Sequence, residues 1–455
     1  MLTYELEKKP GLPLYESLYR HIRADILEGR LAPGEKLPSK RALAANLEVS
    51  KITVEEAYQQ LLSEGYIRSL EKVGYFVEAV TQARRPAPAV QAPKAETPWI
   101  LDFTANSCPD FPFTVWSSLQ RQVMLDLRRD LLRPLPNRGL WELRRAIASH
   151  LAGFRGLQVD PENILIGAGT DFLYNLLIQL LGRDKIYALE EPGYSKIRRI
   201  YGAGGVTAVS AGMDAFGVIP ESLHAVQVLH ISPNHHFPTG LVTPLHRRQQ
   251  LLEWAGAAPE RYIIEDDYDS EFRFDSHPLA TLASLDQEGR VVYMNTFSKT
   301  LASSIRISYM VLPPALMGKF QEKLGFYSCT VPSFEQHTLA RFLEEGHFEK
   351  HINRLRRSYQ QRRSALVALL QGSGLPLKIL EQEAGLHFLV QVDTQMSDEA
   401  LVAELAKKGI QAAALSSYYH GPVPEKDLHC LVVNYSGLTA EDLQKLESLL
   451  KEWTV

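Results

Sequence analysis

Residues 291–309 read VVYMNTFSKTLASSIRISY: an apolar run of strand length, a loop carrying Ser298 and Lys299, and Arg306 seven positions after the lysine. A lysine delivered into a loop by a buried strand can hold an aldehyde as a Schiff base, because desolvation lowers the pKa of its amine. An arginine close behind can grip a phosphate. A Ser-Lys pair alone is weak, since most lysines that follow a strand are solvated, so the reading depends on a second motif.

That motif is EDDYDSEFRF, residues 265–274, directly after the apolar Tyr262-Ile263-Ile264. It reads as the carboxyl end of a buried parallel strand, where open α/β sheets collect their ligands. A carboxylate there can keep a pyridine nitrogen protonated, and a tyrosine hydroxyl can hold a ring oxygen. Asp266 and Tyr268 take these roles, with Glu265 and Asp267 as solvated or structural neighbours. An aldehyde, a phosphate and a pyridine ring together describe pyridoxal 5'-phosphate (PLP). Residues 164–181, ILIGAGTDFLYNLLIQLL, add a strand, a turn and an amphipathic helix. The free N–H groups at that helix start would bind phosphate, Gly169 allowing close approach and Thr170 adding a hydroxyl. Glu191-Pro192-Gly193-Tyr194 follows another strand, 186–189, and places Tyr194 to stack on a cofactor ring.

In this order, Gly169, Thr170, Tyr194, Asp266, Tyr268, Lys299 and Arg306 give residues 99–455 a resemblance to the class I aminotransferases of PLP fold type I. NRGLWELRRAIASHL at 137–151 and SPNHHFPTG at 232–240 are similar to segments of that family. The resemblance implies an α/β domain with a small C-terminal subdomain from about residue 340 and a homodimer. It implies Lys299 as the Schiff-base lysine, Asp266 on the ring nitrogen and Tyr268 on the ring hydroxyl. Thr296, Ser298, Arg306, Gly169 and Thr170 would surround the phosphate. The chain departs from the family at one place: no arginine occurs from Ser364 to the end, where such enzymes hold a substrate carboxylate near the strand that here reads Leu431-Val432-Val433-Asn434-Tyr435. Lys196 and His429 are the candidate replacements for effector binding. The family's Arg-x-Gly-Tyr also reads Arg306-Ile307-Ser308-Tyr309.

The amino-terminal part has another pattern. In PLYESLYRHIRADILEGRL, residues 13–31, Leu14, Leu18, Ile22 and Ile26 recur every four positions and predict an amphipathic helix. Residues 37–67, LPSKRALAANLEVSKITVEEAYQQLLSEGYI, predict two helices around a turn at Glu48 to Ser50, capped by Ser39 and Ser50. Leu43, Leu47, Val54, Ala57 and Leu61 would share a small core. YIRSLEKVGYFV, 66–77, reads as two short strands around Glu71 to Gly74. Residues 11–78 thus resemble the winged helix-turn-helix of the GntR regulators, which implies double-stranded operator DNA as partner. Matched to that family, Ser39, Arg41, Ser50, Lys51, Thr53, Val54 and Tyr58 belong to the DNA-reading pair of helices. Arg68 and Lys72 would stand in for the missing arginine of the wing.

Domain boundaries follow: a DNA-binding domain at 1–78, a linker at 79–98 and the aminotransferase-like domain at 99–455. The linker, AVTQARRPAPAVQAPKAETP, is too poor in large apolar residues to build a core, and its prolines stiffen it. Extended at about 3.1 Å per residue it would reach on the order of 60 Å. The 455 residues, 45% hydrophobic and 22% charged with net charge -4, are ordinary for a soluble protein and give no membrane or global nucleic-acid signal. Cys108, Cys329 and Cys430 lack metal-ligand spacing and suit a reducing cytoplasm. No metal site is expected. Winged helix, linker and aminotransferase-like body together resemble the MocR/GabR subfamily of GntR regulators. The expectation is a PLP-dependent transcription regulator that senses an amino acid, an amine or PLP and alters promoter binding. Its rivals are a working aminotransferase with an appended winged helix, which the missing arginine disfavours, and a regulator that kept the fold without PLP.

Overall fold

The computed structural model describes residues 2–4, 6, 13–80, 99–105, 108, 110–272, 280–380 and 385–451. The chain forms two compact units, Met1–Glu96 and Thr97–Val455. The expected linker lies, from residue 81 onward, outside the described residues.

The first unit contains α1 (Leu14–Leu27), α2 (Lys40–Asn46), α3 (Lys51–Ser63) and the antiparallel pair β1 (Ile67–Leu70) and β2 (Gly74–Val77). The four-residue spacing in α1 buries Leu18, Ile22 and Ile26 against Leu43, Val54, Ala57 and Leu61. Both predicted caps are present: the Ser39 hydroxyl accepts from the Ala42 N–H at 3.2 Å and the Ser50 hydroxyl from the Thr53 N–H at 3.1 Å. Each satisfies a backbone donor left open at a helix start.

The second unit is built from β3 (Leu101–Asp102), β4 (Ile164–Gly167), β5 (Ile186–Glu190), β6 (Thr207–Ala211), β7 (Met213–Asp214), β8 (Gly217–Val218), β9 (Val228–Ile231), β10 (Tyr262–Asp266), β11 (Val291–Thr296) and β12 (Ser308–Val311), then β13 (Leu377–Leu380), β14 (His387–Val392), β15 (Ile410–Gln411), β16 (Ala413–Ala414) and β17 (Cys430–Asn434). Its helices are α4 (Phe113–Leu127), α5 (Trp141–Arg155), α6 (Thr170–Leu181), α7 (Ser195–Ala203), α8 (Leu245–Gly256), α9 (Leu282–Leu285), α10 (Pro314–Leu324), α11 (Ser333–Glu344), α12 (His347–Gly372), α13 (Asp398–Lys407) and α14 (Ala440–Lys451). Seven strands form the main sheet in the order β4-β12-β11-β10-β9-β5-β6, parallel except for β12. Helices cover both faces, which is why β9, β10 and β11 are buried throughout rather than alternating. A four-stranded antiparallel sheet, β13-β14-β17-β16, lies beyond the long α12. The carboxyl ends of β5, β9, β10 and β11 deliver Glu190, Ser232, Asp266 and Thr296 to one cavity.

Candidate functional site

The three successive carboxylates at the end of β10 have separate fates because side chains alternate along a strand. Glu265 is buried and accepts the backbone N–H groups of Leu282 (3.0 Å) and Ala283 (2.9 Å). Asp267, equally buried, accepts from Asn234 (2.8 Å) and Tyr293 (2.6 Å) and pairs with Arg155 at 3.0 Å. Neither is solvated, which corrects half of the expectation for them; both are structural. Asp266 points into the cavity. One of its oxygens accepts from the Tyr174 hydroxyl and has His230 Nε2 at 3.5 Å, and the other is buried with no partner among the described residues.

Lys299 lines the same cavity in the loop after β11. Burial lowers its ammonium from 10.5 to about 8, with Asp269 and Asp266 opposing the fall and Lys196 adding to it. Thr296 accepts from the Ser308 hydroxyl (2.8 Å) and the Ser298 N–H (3.1 Å), while the Ser298 hydroxyl is buried without a partner among the described residues. Tyr268 also lines the cavity, and burial next to Asp269 pushes its phenol well above the ordinary range. At the start of α6, Gly169 adopts φ +87°, and a Cβ there would lie 2.2 Å from a guanidinium nitrogen of Arg306. Only glycine lets that arginine lie across the free N–H groups of the helix start. Arg306, itself at φ 51°, has Asp171 at 3.3 Å, and Asp171 also takes Lys196 at 2.8 Å.

The cavity encloses about 480 Å³. Asp266 with an unspent oxygen, Ser298 with an unspent hydroxyl, a desolvated lysine and a cationic cradle at a helix start fit a pyridine aldehyde that carries a phosphate. Aromatic rings line another side. Phe237 meets Tyr194 edge-on at 5.8 Å and Tyr418 edge-on at 5.2 Å. The expected effector cations are placed elsewhere. Lys196 is bound to Asp171 and does not line the cavity; two residues on, a turn of about 200° along α7 brings Arg198 to the lining instead. His429, at φ 58° before β17, faces Asp398 at 3.3 Å, outside the cavity. Missed by sequence reading was His235, whose Nδ1 lies 2.8 Å from Asp269 and 3.2 Å from the Tyr268 hydroxyl. The SPNHHFPTG segment contained that signal.

In the first unit, Arg41 and Lys51 are exposed at the starts of α2 and α3, and Thr53 is half-buried with its hydroxyl 2.9 Å from that of Ser50. Val54 and Tyr58 are fully buried, the Tyr58 hydroxyl donating to the Pro38 carbonyl at 2.9 Å. Their assignment to DNA contact is therefore corrected: they hold α3 to its neighbours. Ile52, 66% exposed at the start of the same helix, is an apolar side chain free to meet a base edge that the sequence reading passed over. Arg68 pairs with Glu78 at 3.3 Å, and Lys72 sits exposed in the hairpin turn at φ 62°.

Residues 14–77 match the family model for bacterial regulatory proteins of the gntR family, and residues 98–448 match that for aminotransferase class I and II. The HTH-type transcriptional regulator YdeL of Bacillus subtilis (strain 168) is 35% identical over 467 residues, covering 100% of both chains. The probable rhizopine catabolism regulatory protein MocR of Rhizobium meliloti is 30% identical over 97% of this chain and 93% of its own. This chain belongs to the MocR-type GntR regulators. The MocR-type body is similar in fold to Pyrococcus horikoshii kynurenine aminotransferase, with TM-score 0.67 and 25% identity over 78% of this chain and 90% of that one. As a MocR-type regulator the protein joins a DNA-binding winged helix to an aminotransferase-like domain, and its similarity along the whole chain to HTH-type transcriptional regulators favours transcription control over an enzyme with an accessory head. Among the described residues no helix is long and apolar enough to cross a membrane.

Proposed function

We propose that this regulator carries PLP on Lys299 and that an amine arriving in the same cavity changes how tightly the protein holds its promoter. The observation that carries the reading is the convergence of Lys299, Tyr268 and the half-unspent Asp266 on one cavity. When bound, the cofactor supplies an aldehyde carbon at which one amine can replace another. The chain's own residues do the rest. Asp266, held by Tyr174, would keep a proton on the ring nitrogen; Tyr268, oriented through His235 and Asp269, would hold the ring hydroxyl. Gly169, Thr170, Thr296, Ser298 and Arg306 receive the phosphate, and Tyr194 covers the ring. Lys299, whose ammonium burial brings down to about 8, would hold the aldehyde through the larger neutral fraction of its amine than an ordinary lysine has at physiological pH.

Coupling to DNA requires that the amine bind two arrangements of the protein with different affinity. The linker at 79–98 would transmit the change to the heads, in a homodimer working in the cytoplasm. Arg41, Lys51, Thr53 and the wing residues Arg68 and Lys72 would meet the operator. The test is the absorption of the purified protein with added PLP, with promoter affinity measured alongside and with Lys299→Ala as the comparison. A visible band that Lys299→Ala removes, together with the amine response of DNA binding, is expected. Unchanged spectra and unchanged response in the variant would refute the proposal.

A further inference from the structure

In the first unit, α3 turns a mixed face outward. Val54, Ala57, Tyr58 and Leu61 pack into the small core. At about 100° per residue the opposite stripe is Lys51, Ile52, Glu55, Glu56 and Gln59, all exposed. The first residues of the second helix in a helix-turn-helix are the ones that meet base edges in the major groove, and here they include an apolar side chain and two carboxylates. Glu55 has a fixed direction. Its carboxylate accepts from the Lys40 ammonium at 2.6 Å, and that ammonium lies 5.4 Å from the centroid of the Tyr75 ring. Lys40 opens α2 and Tyr75 belongs to β2, so the carboxylate is tied to both neighbours of α3. The bond from Lys40 holds the Glu55 carboxyl below its usual range, which keeps it a pure acceptor. An exposed ion pair adds little to stability; what this one supplies is orientation. Ile52 lies one turn before Glu55 on the same face.

The major groove narrows what a fixed carboxylate can meet. Guanine presents two acceptors, thymine an acceptor beside its methyl group, adenine an amino donor beside the N7 acceptor, and cytosine the N4 amino donor alone. A carboxylate set against guanine or thymine loses water and faces another acceptor, and adenine places N7 against its second oxygen. Cytosine leaves no such conflict. Resting on the operator-binding reading above, we infer that Glu55, positioned by Lys40, reads a cytosine in the operator and that Ile52 meets the methyl group of a thymine beside it. Selection works by rejection of acceptor-bearing edges as well as by the bond to N4.

The test selects binders of the full-length protein from a pool of random-sequence duplexes, then measures affinity for the enriched sequence and its single-base variants. One position is expected to be fixed as cytosine, every other base there weakening binding at least about fivefold. Glu55→Gln should turn that position to adenine, whose N6 and N7 a carboxamide takes together, and Glu55→Ala should level it. Lys40→Met should blunt the cytosine preference at the same position. Glu56→Gln, one residue further on, should leave the preference as it is. Uracil in place of the neighbouring thymine removes one methyl group and should weaken the unmodified protein about fourfold, the value of one buried methyl, without further effect on Ile52→Ala. A preference that survives Glu55→Gln, a responding position that is not cytosine, or a shift caused by Glu56→Gln instead overturns the reading of Glu55 and leaves operator binding intact. A uracil duplex bound as tightly as the thymine one overturns the role of Ile52. A pool from which no sequence is enriched overturns operator binding and this inference together.

Discussion

Replacing Gly169 by alanine tests the phosphate cradle at its narrowest point. The residue caps α6 at φ 87° and ψ 162°, a region that is almost closed to residues with a Cβ and costs them about 1–3 kcal/mol. The added carbon would lie 2.2 Å from Nη2 and 2.5 Å from Cζ of Arg306, so the guanidinium must swing away. A hydrogen bond to a charged group contributes about 1.5–3 kcal/mol. At 1.4 kcal/mol per tenfold, its loss weakens binding by roughly 10- to 150-fold. The assay is a spectrophotometric titration of apoprotein with PLP and, in parallel, with pyridoxal, which has the aldehyde and ring without the phosphate. Gly169→Ala should lose affinity for PLP and keep that for pyridoxal. In an Arg306→Ala background the same change should cost little further affinity, because the partner it displaces is gone. Affinity for PLP within threefold of the unmodified protein, or an equal loss for both ligands, would refute the role of the glycine.

Burial holds Lys299 at about 8 against an ordinary 10.5, so the rate of PLP capture should climb with pH and flatten above about 8. Continued climbing to pH 10 would show an ordinary surface amine. Between those two values the unfolded chain binds a proton that the folded one has released, so the apoprotein should gain stability as pH rises through that window, and Lys299→Met should remove the gain. Glu190 is raised by burial from 4.5 to about 8, and here the folded chain holds the extra proton. Stability should therefore fall as pH rises from about 4.5 to about 8, and Glu190→Gln should flatten the fall in thermal unfolding curves. Lys51→Ala and Arg41→Ala should each lower the slope of log affinity against log salt by about 1 if they contact phosphates. Val54→Ala should instead destabilise the protein by about 2 kcal/mol and leave the salt slope unchanged.

Local signals carried much of this structure. The caps at Ser39 and Ser50, the four-residue stripe of α1 and the strand that ends before Lys299 depend on neighbours a few residues away, and each is where the sequence places it. Val54 and Tyr58 show where resemblance outran periodicity: they lie on one stripe with Ala57 and Leu61, and that stripe was already needed for the core. Distant pairings were not legible. Arg155 meets Asp267 across 112 positions and Tyr174 meets Asp266 across 92, so nothing local distinguishes the saturated carboxylates of β10 from the unspent one. Lys196 was misplaced for a simpler reason, since successive helical residues diverge by about 100° and a cation's direction cannot be read without the helix's packing.

The alternation at the end of β10 has a genetic consequence. Glu265 and Asp267 are bolted into the frame by Leu282, Ala283, Asn234, Tyr293 and Arg155, whereas Asp266 serves the chamber. In a mutant library sorted by cellular abundance, changes at 265 and 267 should vanish from the soluble pool. Changes at 266 should persist as full-level proteins gone deaf, and three adjacent codons would thereby sort scaffold from sensor.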